Sequence, residues 1–114
     1  METKRQNKIS KLLQKDIGDI FQKEVRSLFG NTMISVTKVY VTSDLSIAKV
    51  YVSLFATEDK EELLKNILRH ARDIRHALGR RVKNQLRQVP ELQFYLDDSL
   101  DYIENIENLL NNKS

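Results

Sequence analysis

Two segments of period-two sequence, IAKVYVSLF (47–55) and ELQFYLD (91–97), are separated by a long stretch whose apolar residues recur at three- and four-residue spacing. This order constrains the fold more than any other feature of the chain. Alternation puts successive side chains on opposite faces of a strand, whereas spacing by three and four puts them on one side of a helix. Two strands of one sheet joined by a helical connection run parallel, with a right-handed crossover. The first segment directs Ala48, Val50, Val52 and Leu54 inward and Lys49, Tyr51, Ser53 and Phe55 outward. The second directs Leu92, Phe94 and Leu96 inward and Gln93 and Tyr95 outward.

The connection opens at TEDKEE, where Asp59 and Glu62 have capping-box spacing and the acids suit a helix N-terminus. Leu63, Leu64, Ile67, Leu68, Ala71, Ile74 and Leu78 form its apolar side, and the pattern continues through Gly79 to Val82 and Leu86 before Pro90 ends it. Gly79, which disfavours a helix interior by roughly 1 kcal/mol relative to alanine, marks the expected break. Upstream, MISVTKVYVT (33–42) reads as another strand, with Ile34 and Val36 on one parity and Val39 and Val41 on the other. A bulge or a change of burial accounts for that slip. SDLS (43–46) is a turn, so the two strands form a hairpin. Ile9 to Phe29 has the spacing of one amphipathic helix, stopped by Gly30-Asn31.

The expected fold is α+β: helix, strand, strand, helix–kink–helix, strand, with a three-stranded mixed sheet packed by helices on one face. The other face is open and carries Tyr51, Phe55 and Tyr95. Residues 1–98 form the domain, and 99–114 an acidic, loosely attached helical tail with Leu100, Ile103, Ile106 and Leu110 at helical spacing and Asp98 or Ser99 as its cap. At 114 residues the chain is long enough for one core without staples. It has no cysteine, which removes disulfides and thiolate chemistry. The N-terminal METKRQNKISKLL lacks the apolar middle of a signal peptide, and no apolar run approaches the roughly 20 residues of a membrane helix. These features point to a soluble cytoplasmic protein with no membrane attachment.

The net charge of +3 conceals an uneven distribution. Residues 69–90 hold seven Lys or Arg against one acid, whereas 91–114 hold one against six. At about 100° per residue, Arg69, Arg72, His76, Arg80, Lys83 and Arg87 fall in one stripe of the second helical stretch, with Arg75 and Arg81 flanking it and only Asp73 near in sequence. A second stripe, Lys4, Lys8, Lys11 and Lys15, lies opposite the apolar side of the first helix. Single-sign rows of this kind suit a polyanion such as RNA. A helix starting after Gly79 would also turn backbone amides toward a phosphate.

Catalytic chemistry finds no foothold. His70 and His76 are six residues apart and cannot meet at one metal on one helix, and Ser43, Ser46 and Ser53 have no evident base. No cofactor, metal site or small-molecule substrate is expected, and the chain does not read as an enzyme.

Three pieces together resemble a known family: AKVYVS (48–53), R-x-x-L-G-x-x-V (75–82) and L-R-x-V-P-E-L-x-F-x-x-D-x-S (86–99). Nearly the whole chain is similar to bacterial ribosome-binding factor A. The resemblance implies a KH-like fold of the second type, in which Ala77-Leu78-Gly79 forms a kink replacing the usual G-x-x-G loop. It further implies a monomeric, non-enzymatic assembly factor that binds the small ribosomal subunit and its 16S rRNA, supports maturation of the rRNA 5′ end and matters in the cold. The contacts expected from the residues themselves are the two basic stripes with Arg75, Arg81, Ala77 and Gly79. A general RNA chaperone acting through the open sheet face, and a basic module docking an acidic protein, are the competing readings.

Overall fold

The computed structural model describes residues 3–30, 32–55 and 57–97, and the expected tail helix lies outside them. The chain forms α1 (Lys4–Asp19), a π turn (Ile20–Glu24) and a 3-10 turn (Arg26–Leu28), then β1 (Met33–Val41), β2 (Ile47–Phe55), α2 (Lys60–Arg69), α3 (Ala71–Val82) and β3 (Glu91–Leu96). The sheet order is β1-β2-β3, with β1 antiparallel and β3 parallel to β2. Both the α+β class and the parallel pair follow the sequence expectation. Among the described residues no helix is long and apolar enough to cross a membrane.

The parity slip in β1 is a bulge between Val36 and Lys38, and it lets Ile34 and, beyond it, Val39 and Val41 all face the core. Edge-strand carbonyls at this distortion do not go unmet: Gln14 of α1 donates to the carbonyls of Val36 and Thr37, and Gln6 to that of Val41. The core joins Leu13, Ile17 and Ile20 from the first helical segment, Val50, Val52 and Leu54 from β2, Ile67 from α2, and Ile74, Leu78 and Val82 from α3, all but inaccessible to solvent. Burying each large aliphatic side chain contributes on the order of 1.5–3 kcal/mol.

Four expectations require correction. The first helix opens at Lys4, where Thr3 and Gln6 form a capping box in which each side chain meets the other's backbone N–H. It also ends as an α-helix at Asp19, and the Val25 N–H bonds the Ile20 carbonyl across a π turn, so 9–29 is not one regular helix. The break in the second stretch falls at His70, not at Gly79, which lies inside α3. His70 leaves the helical region at φ −103° and ψ 14°, with its ring edge-on to Phe29 at 5.8 Å and Nδ1 3.2 Å from Asp73. Leu68, expected on the apolar side, stands in solvent at 50% exposure. Ser53, finally, is buried although it shares the outward parity, its short side chain standing between the larger Tyr51 and Phe55.

The hairpin turn is held by Asp44, whose Oδ1 accepts from the hydroxyls of Thr42 and Ser46 and from the Ser46 N–H. The Ser46 hydroxyl, the Thr42 hydroxyl and then the Ser46 amide stabilise the ionised form and lower its pKa from 3.8 to about 2. A folded value below the unfolded one means that the ionised turn favours folding above about pH 4, and that this contribution is lost as the pH falls through about 2. Carboxyl-carbon NMR should therefore show Asp44 titrating near 2, and the midpoint should climb toward 3.8 when Thr42→Val and Ser46→Ala remove the hydroxyls.

Candidate nucleic-acid interface

α3 divides cleanly between core and solvent. Ile74, Ala77, Leu78 and Val82 are buried, and this fixes the rotation of the helix about its axis. With that rotation set, Arg72, His76, Arg80 and Lys83 face outward. After Lys83 the chain turns back toward the sheet through Arg87, Gln88 and Val89 and enters β3 at the buried Pro90. An open groove of about 570 Å³ lies between helix and linker, lined by Arg72, Arg75, His76, Gly79, Arg80, Lys83, Arg87, Gln88 and Val89. Five of these nine are permanent cations and none is a carboxylate. Arg72, His76, Lys83 and Arg87 have no ion-pair or hydrogen-bond partner among the described residues, so the three cations and the imidazole are available to a ligand.

Gly79 serves this groove by its size. A Cβ at this position would stand 3.3 Å from Cγ2 of Val89, tighter than ordinary contact. The missing side chain lets the linker close on the helix and leaves helix backbone at the groove's floor. Arg75 holds the linker there, Nη2 donating to the Val89 carbonyl at 2.8 Å and Nε to the Pro90 carbonyl at 3.2 Å. Guanidinium-to-carbonyl bonds of this kind are charge-assisted and stronger than neutral ones. No Phe, Tyr or Trp lines the groove, which offers chiefly charge to a phosphate backbone.

The structure gathers Arg72, Arg75, His76, Gly79, Arg80, Lys83 and Arg87 as the sequence led us to expect, and separates the rest. Arg69 precedes the break at His70, stands 3.5 Å from Glu62 and lines a different depression with Asp59. Ala77 is 1% exposed and belongs to the core, so neither it nor Gly79 forms a kink that presents amides to a ligand. Lys4, Lys8, Lys11 and Lys15 are all exposed on α1, but only Lys11 and Lys15 share a depression, with Gln14, Gly18, Asp19, Gln22 and the start of β1.

Arg81 turns inward. Its Nε lies 3.3 Å from Asp16, Nη2 3.0 Å from Asp19 and Nη1 3.4 Å from Glu24, with 30% of the side chain exposed. Burial works against the charged guanidinium, but the hydrogen bonds of Asp16 and Glu24 and the charges of Asp16 and Asp19 outweigh it and raise its pKa further above its ordinary value. The expectation that Asp73 is the sole acid near the basic row overlooked these three, which are distant in sequence. Arg80 makes only a long 3.7 Å contact with Glu24 and stays 65% exposed.

Comparison with known proteins bears on what such a groove is for. The family model described as Ribosome-binding factor A matches residues 5–110. The chain belongs to this family. A ribosome-binding factor A from Flavobacterium johnsoniae is 54% identical over 114 residues, covering 99% of this chain and 88% of that protein. One from Cytophaga hutchinsonii is 46% identical over 110 residues, covering 96% and 83%. The crystal structure of ribosome-binding factor A from Thermus thermophilus matches with a TM-score of 0.65 at 26% identity, over 80% of this chain and 94% of that one. Coordinates of the Thermus thermophilus factor fitted into a cryo-electron-microscopy map of its 30S complex match with a TM-score of 0.63 at 26% identity, over 78% and 91%.

The contrast between Arg81 and its neighbours is measurable. Arg81→Ala leaves three carboxylates facing one another, and urea denaturation should show a loss of about 1–3 kcal/mol, between the limits for exposed and buried pairs. Arg72→Ala and Arg87→Ala should stay within about 0.5 kcal/mol of the parent protein.

Proposed function

We propose that this chain binds the 30S ribosomal subunit by laying the α3 groove against phosphates of 16S rRNA, and that it acts without catalysis during late maturation of that subunit. The observation that carries this reading is the acid-free groove of five cations, four of them arginines. Arginine forks bind phosphate oxygens in pairs, which suits recognition of a folded RNA backbone by shape. The Thermus thermophilus relative's 30S complex supports the same partner. Lys4, Lys8, Lys11 and Lys15 extend the contact as exposed phosphate ligands along α1. Arg69 and Arg81 act in ion pairs of the domain itself.

In the cell, the protein works in the cytoplasm as a monomer, needs no cofactor, and promotes processing of the 16S rRNA 5′ end, an effect felt most in the cold, when misfolded RNA escapes slowly. Residues 1–98 carry the binding, and the acidic 99–114 segment is a tail.

The test is a triple charge reversal, Arg72→Glu with Lys83→Glu and Arg87→Glu, all at exposed positions without structural partners. The variant should keep the parent's circular dichroism and urea midpoint yet no longer sediment with free small subunits in a sucrose gradient. Cells carrying it should accumulate 16S rRNA with an unprocessed 5′ end at low temperature. Undiminished cosedimentation of the folded variant would refute the groove as the binding site.

A further inference from the structure

The sheet face opposite the helices carries a second arrangement that the groove does not explain. The register sets Lys38 beside Tyr51 and Tyr51 beside Tyr95, and in the next row Tyr40 beside Lys49 and Lys49 beside Gln93. Tyr51 and Tyr95 thus share one row and Tyr40 stands diagonally from Tyr51 in the next, so that the three rings follow a bent diagonal with Lys38 and Lys49 beside it. Tyr51 stacks on Tyr95 at 5.4 Å with 27° between the rings, and Tyr40 meets Tyr51 edge-on at 6.2 Å. The Lys38 ammonium sits 4.4 Å above the Tyr40 ring. Tyr40 and Tyr95 remain 37% and 40% exposed. Between the Tyr40 and Tyr51 rings a depression of about 350 Å³ is walled by Val41, Thr42 and Lys49.

We infer that this face is a second RNA site, taking one or two unstacked nucleotides of a single strand on the Tyr40–Tyr51–Tyr95 diagonal with the Lys49 ammonium on the adjoining phosphate. The depression is at the small end of the range for ligand pockets, roughly 300–1,000 Å³, and suits a single planar ring. An apolar protein surface fits less well, because covering the two rows would bury the Lys49 ammonium without a counter-charge. No carboxylate stands in either row; Glu91 lies one row further out on one side, opposite Ile47, and Asp97 one row out on the other, where its carboxylate accepts from the Thr37 hydroxyl. Single-stranded RNA supplies both components the face asks for, a π surface for the rings and an anion for the lysine. The two sites then divide the work by chemistry: the groove holds backbone of folded RNA, and the tyrosines hold bases that have left a helix.

The chain reports on this site by its own fluorescence, having four tyrosines and no tryptophan, with three of the four on the diagonal. Titration with an unstructured single-stranded RNA decamer at 0.3 M salt, where groove contacts are weakened, should quench tyrosine emission saturably. A duplex of the same length should not. Each stacked base is worth roughly five- to 150-fold in affinity, so Tyr40→Leu with Tyr95→Leu should weaken the decamer at least tenfold, while Tyr51→Phe, which keeps a ring, should bind it normally. The triple charge reversal of the groove should leave the quenching unchanged, which separates this site from subunit binding. Absence of saturable quenching, parental affinity in the leucine variants, or loss of quenching in the folded groove variant would overturn the assignment. So would self-association that depends on the same tyrosines, since the face would then be covered.

Discussion

The guanidinium of Arg81 joins the first helical segment to α3, and the placement of the basic groove depends on that joint. Three carboxylates converge on it from Asp16, Asp19 and Glu24. In an unbroken α-helix, at about 100° per residue, Glu24 would point roughly 80° beyond Asp16 and about 140° from Asp19. The π turn over Ile20–Glu24 takes back about one residue's rotation and returns Glu24 to the same side as the two aspartates. The irregular turn therefore has an electrostatic purpose as well as a packing one. Without the arginine the three acids repel one another; without the π turn the third has no route to it.

That joint also settles which charges of α3 are structural. Arg81 faces α1, Arg75 binds the carbonyls of the linker, and the remaining cations stay outside. The acids that could have neutralised the groove are gathered behind it, around Arg81. A surface that presents cations alone attracts polyanions over a distance set by the Debye length, about 8–10 Å in physiological salt. Gly79 adds shape to this charge by admitting Val89 against the helix. Charge and shape together favour a folded RNA backbone, while the tyrosine diagonal on the far side of the sheet offers what the groove lacks.

Much of this was legible in the chain. Periodicity alone placed three strands, including the parallel pair, and the bulge in β1 was visible as a parity change between Val36 and Val39. The outward rotation of Arg72, His76, Arg80 and Lys83 followed from the apolar side at Ile74, Leu78 and Val82. Two features escaped for physical reasons. The helix break at His70 carries neither glycine nor proline; the His70 ring there meets the distant Phe29 and, locally, Asp73, and Gly79 drew attention to the wrong place. The pairing of Arg81 with acids more than fifty residues away in sequence has no local signature at all. The capping box at Thr3 and Gln6, by contrast, was readable as a T-x-x-Q pattern just before the basic first turn.

The central claim is that subunit binding runs through phosphate contacts of a five-cation groove, and its salt dependence tests this most directly. Affinity for purified 30S subunits would be measured at fixed magnesium from 50 to 200 mM monovalent salt. The four groove cations not held by the linker, Arg72, Arg80, Lys83 and Arg87, predict a slope of log K against log salt of about −3.6, a loss of more than about a hundredfold across that range, steeper still with the α1 lysines engaged. A slope near zero would mean that the groove's charge takes no part in binding, and would contradict the account.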